Sequence, residues 1–460
     1  LRHWRSYSFR LMSAKISISR QVVKNIINAP KYESYYDFVA SNKLTDLDLF
    51  TLGQPYDLYK ELRENAPVYF HESASYDPEP GFWVATKYED IKHISSNPKI
   101  FSSQYGTGTL ITLGEEARRH PKLFRSAVDH MLNLDGELHI GLRKEHMPFF
   151  KPDYVSNLNI KVSNEITRLL DNIEKLGECD LVKNISQQLP IFTLSEILGI
   201  PESDRHKIAE WMEFLEIAQY IQVEQLKNEA GNADANFSQE MFDMFNAMVD
   251  EMFDYGKFII SKKREQPEND LLSAIGNAEL NGHKLTQEFI DGSWLLIIFA
   301  GNDTTRNTIS GAMKLLTENP DQKKLLLDDL SLMPNFVNEV IRCVSPVIHM
   351  RRTTTQETEV GNQKLGVGEK IVMWYGAANR DPEIFENPDA FNILRENSDQ
   401  HLAFGIGRHT CLGKPIALMQ LSELYKQLLS RFPNIHMSGD WKVGPNNFVH
   451  TIQEMPIKIA

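Results

Sequence analysis

A chain of 460 residues that is 42% hydrophobic and 24% charged has the balance of a globular protein, with length enough for a large core. Its formal net charge of −13 makes it a poor nucleic-acid binder, because phosphates would be repelled. Three widely spaced cysteines, Cys179, Cys343 and Cys411, with no CxxC pair, argue against a disulfide framework and a cysteine-built zinc site, and point to a reducing compartment, the cytoplasm.

The first 34 residues read as a tail. LRHWRSYSFRLMSAKISISR is rich in Arg and Ser, and Glu33 is the first acidic residue. That composition suits an organellar transit segment on one reading; the preferred reading is a solvated tail, or extra residues before a start at Met12. Residues 35–460 read as one domain. Residues 56–66 predict a helix, VYF (68–70) and FWVAT (82–86) a strand pair, and 88–97 another helix. The stretch 102–136 lacks periodicity, as binding loops do. Helical periodicity then dominates over 137–149, 155–175, 184–198, 203–217, 238–264, 286–318 and 321–330, with a connection at 219–237 read as part of a mobile lid over 215–237. The Met and Phe stripe of 241–253 reads as core packing. After a helix at 335–343, short β-like pieces at 358–360, 364–365 and 370–375 precede a turn-rich segment and a last helix at 413–430. The sum is a mainly α protein with a minor β region. The longest apolar run, WLLIIFA (294–300), falls far short of the roughly 20 residues that cross a bilayer.

The chemistry concentrates in HLAFGIGRHTCLG, residues 401–413. Gly405, Gly407 and Gly413 permit close backbone approach and positive φ around Cys411. A helix beginning just beyond the cysteine favours an anionic sulfur. That physics suits a nucleophile and a metal ligand about equally, while an inert buried cysteine explains the glycines poorly. A cysteine hydrolase would need His409 as a base.

Phe404-Gly405-x-Gly407-x-His409-x-Cys411-x-Gly413 resembles the haem-binding signature of the cytochrome P450 family, and three further motifs of that family occur in order. Glu339-x-x-Arg342 places a carboxylate and a guanidinium on one helix face; the resemblance makes Arg395 the third member of a structural lock, although Asn392 stands where the family often has Asp. Ala300-Gly301-Asn302-Asp303-Thr304-Thr305 interrupts an apolar helix, where Gly and a back-bonding Thr favour a bend. His139-x-x-x-Arg143 sits on one face of a helix.

The resemblance implies haem b with Cys411 as thiolate ligand, dioxygen as co-substrate, and Asp303 and Thr304 as the catalytic proton path beside Ala300 and Gly301. It implies that His139, Arg143, His409 and Arg352, rather than the adjacent Arg351, hold the haem carboxylates. Trp294, Leu295, Ile298, Phe299, Val347, Ile348 and His349 are expected to line a pocket for a hydrophobic substrate, an alkyl chain, fatty acid, terpenoid or sterol side chain, with parts of 102–134 adding a polar anchor. No reductase motif is attached, so a separate ferredoxin and ferredoxin reductase are expected, docking on Lys144, Arg408 and Lys414. The protein is expected to be a monomer. A peroxide-driven peroxygenase and a haem-based gas sensor are the alternatives.

Overall fold

The computed structural model describes residues 44–73, 80–104, 126, 130–233, 235–280 and 282–459. The N-terminal tail and most of the 102–136 stretch, with the polar anchor expected there, lie outside the described residues.

A five-stranded sheet forms one side of the molecule. Its strands are β1 (Val68–Glu72), β2 (Gly81–Ala85), β3 (Phe101–Ser102), β4 (His349–Thr354) and β5 (Lys370–Trp374), in the order β1-β2-β5-β4-β3. β5 runs parallel to β2 and antiparallel to β4. The two-residue alternation of a strand sorts its side chains onto two faces. Phe82, Val84, Val372 and Trp374 pack with Leu58, Tyr59 and Leu62 of α1 (Tyr56–Asn65). Ala85, Ile371 and Met373 pack with Tyr88, Ile91 and Ile94 of α2 (Tyr88–Ser96). Both faces are thus covered by helices.

The larger body is helical: α3 (Gly136–His146), α4 (Pro152–Leu176), α5 (Gln188–Leu198), α6 (Arg205–Glu229), α7 (Gln239–Glu265), α8 (Leu271–Asn277), α9 (Gln287–Ala300), α10 (Asp303–Glu318), α11 (Pro320–Asp328), α12 (Met333–Val344) and α13 (Lys414–Arg431). α4 shows why these segments fold. Val155, Leu158, Val162, Ile166, Leu169 and Ile173 recur at helical spacing and are buried, each contributing roughly 1.5–3 kcal/mol when fully removed from water. Phe245, Met252 and Phe253 of the Met and Phe stripe are core residues too.

Three boundaries differ from the sequence reading. The expected connection at 219–237 is helical as far as Glu229, because Ile221, Val223 and Leu226 are buried. The long helix expected over 286–318 is two helices, α9 and α10, meeting at Gly301 and Asn302. The short helix α8 escaped the periodicity test; Asp270 caps it by accepting from the Ser273 N–H at 2.7 Å, a cap that favours a helix start.

Candidate active site

The cysteine loop is shaped by backbone hydrogen bonds and two left-handed glycines. Gly405 and Gly407 have φ of 67° and 78°, which side-chain-bearing residues rarely adopt. A Cβ on Gly407 would stand 2.9 Å from the Ser95 carbonyl oxygen, so α2 can lie against the loop only because this residue is glycine. The Gly405 N–H donates to Leu402 O and the Cys411 N–H to Phe404 O, both at 2.8 Å. The loop ends at Gly413, where α13 begins.

The Cys411 sulfur is open to an internal cavity of ≈ 280 Å³, while protein encloses its other sides. That enclosure pushes the thiol pKa up; the Gly413 N–H, the Arg143 guanidinium and the Lys414 N–H and ammonium pull it down. The donors that would stabilise a thiolate are therefore already in place around it.

Across the cavity stands the break between α9 and α10. Thr304 Oγ1 donates to Ala300 O at 3.2 Å and Thr308 Oγ1 to Thr304 O at 2.7 Å, the back-bonding that bends helices. Leu296, Ile297, Ala300, Gly301, Thr304, Thr305 and Thr308 form one stripe along the cavity wall. A Cβ on Gly301 would come within 2.8 Å of Leu194 Cδ1, so α5 packs close here and a larger residue would have to push the Leu194 side chain aside. Asp303 is placed behind that wall: its Oδ1 lies 3.8 Å from Arg306 Nη1, with both side chains buried.

One edge of the cavity is cationic. His139, Arg143, Arg352 and His409 all line it. The rings of His139 and His409 stack at 4.2 Å. Arg143 Nη2 donates to Thr410 O and Arg352 Nη1 to Arg351 O, each at 2.7 Å. Among the described residues no carboxylate forms an ion pair with either arginine, and burial lowers the pKa of both. Burial likewise lowers His139 to about 4, with His409 and Arg143 adding to the effect. A buried guanidinium at Arg352 and a half-buried one at Arg143, neither with a carboxylate partner among the described residues, suit an anionic ligand.

A buried ion triad holds the loop from behind. Arg342 Nε donates to Glu339 Oε2 at 2.7 Å and Nη2 to Oε1 at 2.8 Å, with both side chains fully buried. Arg395 Nε donates to the same carboxylate at 3.1 Å. Asn392, whose identity departs from the expected pattern, fits its turn: Oδ1 accepts from the Leu394 N–H at 2.9 Å, and its own N–H donates to Glu339 Oε1 at 3.0 Å. Arg342 Nη1 also donates to Asn379 O at 2.7 Å, and Asn379 Oδ1 accepts from the Leu402 N–H at 2.6 Å. This hydrogen-bonded path runs from the triad to the first residues of the cysteine loop.

The apolar lining is a correction to the sequence reading. Val347 lines the cavity as expected, but Trp294, Leu295, Ile298, Phe299, Ile348 and His349 are placed elsewhere. Trp294 is in the helical core, its Nε1 donating to Met252 O at 3.0 Å. Leu295 and Ile298 share that core, and Phe299 stacks on Phe448 with ring centroids 5.9 Å apart. Ile348 packs beside Trp374, and His349 Nδ1 donates to Asn447 O at 2.9 Å. The helix faces the cavity with the stripe that ends in Thr304, not with the stripe of its bulkiest residues. Met350 and Arg352 face the cavity from β4, and the period of the strand sends His349 and Arg351 to the other side. Met131, Leu132 and Tyr375 are lining residues that the sequence did not single out.

Comparison with known proteins agrees with this geometry. The family model described as Cytochrome P450 matches residues 110–454. Linalool 8-monooxygenase of Pseudomonas putida is 29% identical, the alignment covering 91% of this chain and 98% of the relative. Cytochrome P450-terp of a Pseudomonas species is 30% identical, covering 88% and 93%. The structure of Mycobacterium marinum cytochrome P450 CYP268A2 in complex with pseudoionone superposes with a TM-score of 0.78 at 30% identity, covering 94% of this chain and all of the other. Haem fits the residues present: a sulfur with thiolate-stabilising donors opens into the cavity, glycines keep side chains out of its walls, and uncompensated cations stand at one edge for the two carboxylates. The chain belongs to the cytochrome P450 family and is a haem-thiolate monooxygenase with Cys411 as the ligand of the iron.

Proposed function

We propose that this monooxygenase hydroxylates a terpenoid or a comparable branched alkyl substrate, with both electrons delivered by a separate ferredoxin. The observation that carries the substrate class is the apolar wall formed by Met131, Leu132, Leu296, Ile297, Val347 and Met350. Such a wall selects by shape and by burial of hydrocarbon, as small-molecule pockets do. The likeness to linalool 8-monooxygenase and to a structure holding pseudoionone supports the same class.

When bound, the haem supplies oxygen activation, which thiolate donation to the iron promotes. The residues of this chain do the rest. Burial pushes the Cys411 thiol pKa up, and the Gly413 and Lys414 N–H groups, Arg143 and the Lys414 ammonium oppose it, so these donors would stabilise the thiolate once it is bound to iron. Arg143, Arg352, His139 and His409 hold the haem carboxylates, and Ala300, Gly301, Phe404, Gly405 and Gly413 shape the space for the ring. Thr304 presents its hydroxyl at the bend and passes protons into an apolar site; Asp303 supplies them from behind the wall, leaving its partner Arg306 to do so. Glu339, Arg342 and Arg395 keep the loop in register.

The docking face for the ferredoxin is the outer side of the cysteine loop. Lys144 and Arg408 are exposed there, and Lys414 lies over the Phe404 ring at 5.4 Å. They offer a cationic patch to an acidic partner despite the net charge of −13. The test is turnover of linalool with ferredoxin, ferredoxin reductase and NADH in one arm and hydrogen peroxide alone in the other. Hydroxylated product in the first arm supports the proposal. Product only with peroxide overturns the electron source, and failure of linalool and related terpenoids to perturb the haem spectrum overturns the substrate class.

A further inference from the structure

Asp135 occupies the N-cap position of α3, yet its side chain makes no capping bond to that helix. An aspartate there ordinarily accepts from the first free N–H groups of its own helix. Here both oxygens are directed elsewhere. Oδ2 accepts from Ser102 Oγ at 2.6 Å, from the Ser103 N–H at 2.8 Å and from the Gln104 N–H at 3.3 Å. Oδ1 accepts from His409 Nε2 at 3.2 Å. Ser103 Oγ stands 3.2 Å from the same ring nitrogen, and His139 stacks on the ring's face. The imidazole of His409 is therefore fixed on three sides, by a carboxylate, a hydroxyl and a second ring.

We propose that Asp135 is a positioning residue for the haem: it orients His409, two residues before the cysteine ligand, so that the ring serves a haem carboxylate. With Nε2–H given to Asp135, Nδ1 can donate to a haem carboxylate only when the ring carries both protons, the form that the Asp135 carboxylate favours. The arrangement also balances charge. Asp135 and His409 satisfy one another, which leaves the guanidiniums of Arg143 and Arg352 to meet the two haem carboxylates. Burial alone would raise the carboxyl of Asp135, but the bonds from His409 and Ser102 outweigh it and hold it at about 2, so the residue is an anion at any working pH. Because the same carboxylate ties the end of β3 to the start of α3, it couples the placement of His139 and Arg143, one and two turns into α3, to that of His409 in the cysteine loop.

The inference rests on the reading that His409 holds a haem carboxylate, and the test separates the two. Haem transfer to excess apomyoglobin is timed for the holoprotein, for Asp135→Asn, for Ser102→Ala, for His409→Phe and for the double variant Asp135→Asn/His409→Phe. Midpoint potentials are measured alongside. Asp135→Asn is expected to speed haem loss about tenfold, the scale of one charge-assisted hydrogen bond, and to shift the potential. It is expected to add little once His409 is replaced, because it acts through that ring. Ser102→Ala, which leaves the bond between Asp135 and His409 standing, is expected to change haem loss little. Equal acceleration by Asp135→Asn in both backgrounds would overturn the positioning role, as would a Ser102→Ala effect matching it, since either result describes a residue that only pins the loop. An unchanged rate in His409→Phe would overturn the carboxylate reading and this inference with it.

Discussion

Glu339 and Arg342, three residues apart on α12, meet in a two-pronged ion pair at 2.7 and 2.8 Å with no solvent access to either side chain. Removing two charges from water is costly, and their attraction offsets that cost only while the geometry is complete. Glu339→Gln leaves Arg342 and Arg395 close together without their shared counter-charge. The expected loss is about 3–5 kcal/mol of stability, seen as a large drop in Tm and in the yield of haem-loaded protein. A Tm within a degree or two of the parent would show that the triad does not hold the loop.

The facing of α9 yields a paired prediction. Leu296 lines the cavity and Trp294 packs in the core. Leu296→Phe is expected to change which terpenoids perturb the haem spectrum, with little effect on Tm. Trp294→Ala is expected to cost roughly 3–5 kcal/mol through the hole it leaves, with the order of substrate preference retained. Denaturant midpoints and ligand titrations of both variants check this; the reverse pattern would mean the helix is rotated from the position described.

Thr304 lines the cavity where the α9–α10 ladder breaks, and its hydroxyl bonds back to Ala300 O there. Thr304→Ala is expected to keep oxygen consumption within a few-fold while diverting most of it to hydrogen peroxide, because the proposed proton path runs through that hydroxyl. Oxygen uptake, peroxide and product are measured together. Full coupling in the variant would remove Thr304 from the proton path.

His349 shows the cost of burying a titratable ring. Burial pulls its pKa down to about 3, against the bond to Asn447 O and helped by Arg351. Unfolded, the ring takes up a proton near pH 6.5; folded, it refuses it until much lower pH. Its contribution to stability is therefore whole above pH 6.5 and falls as the pH drops from 6.5 towards 3, reaching a penalty of about 2 kcal/mol by pH 5. His130, His146, His401 and His450 are depressed in the same direction, so the protein as a whole is acid-sensitive. In His349→Asn the difference in unfolding free energy between pH 7.5 and pH 5 is expected to shrink by about that amount. An unchanged difference would contradict the account.

The cysteine loop and the triad were legible in the sequence because their residue types are tied to local backbone demands: positive φ at Gly405 and Gly407, and i,i+3 spacing at Glu339 and Arg342. The break at Gly301 was legible as poor helix sequence. The pocket was not, because hydrophobicity alone cannot tell the face of α9 that meets the helical core from the face that meets a cavity; both are apolar. Counting back from Thr304 in turns would have reached Ala300 and Ile297. Arg352 could be separated from Arg351 only by its place before the Thr run, and the alternation of β4 now supplies the physical reason. Asp135 gave no signal, since an aspartate ahead of a helix looks like a cap, and only the partners of its oxygens say otherwise. The extension of α6 was hidden by the polar residues around Ile221, Val223 and Leu226.

The central claim, that the Cys411 sulfur binds the haem iron, is tested most directly by the carbon-monoxide difference spectrum of the reduced holoprotein beside that of Cys411→Ser. The account predicts the red-shifted Soret band of a thiolate-ligated haem in the parent and its disappearance in the variant, whatever haem the variant keeps. A parent spectrum of the histidine-ligated type, or a thiolate band that survives the substitution, would contradict it.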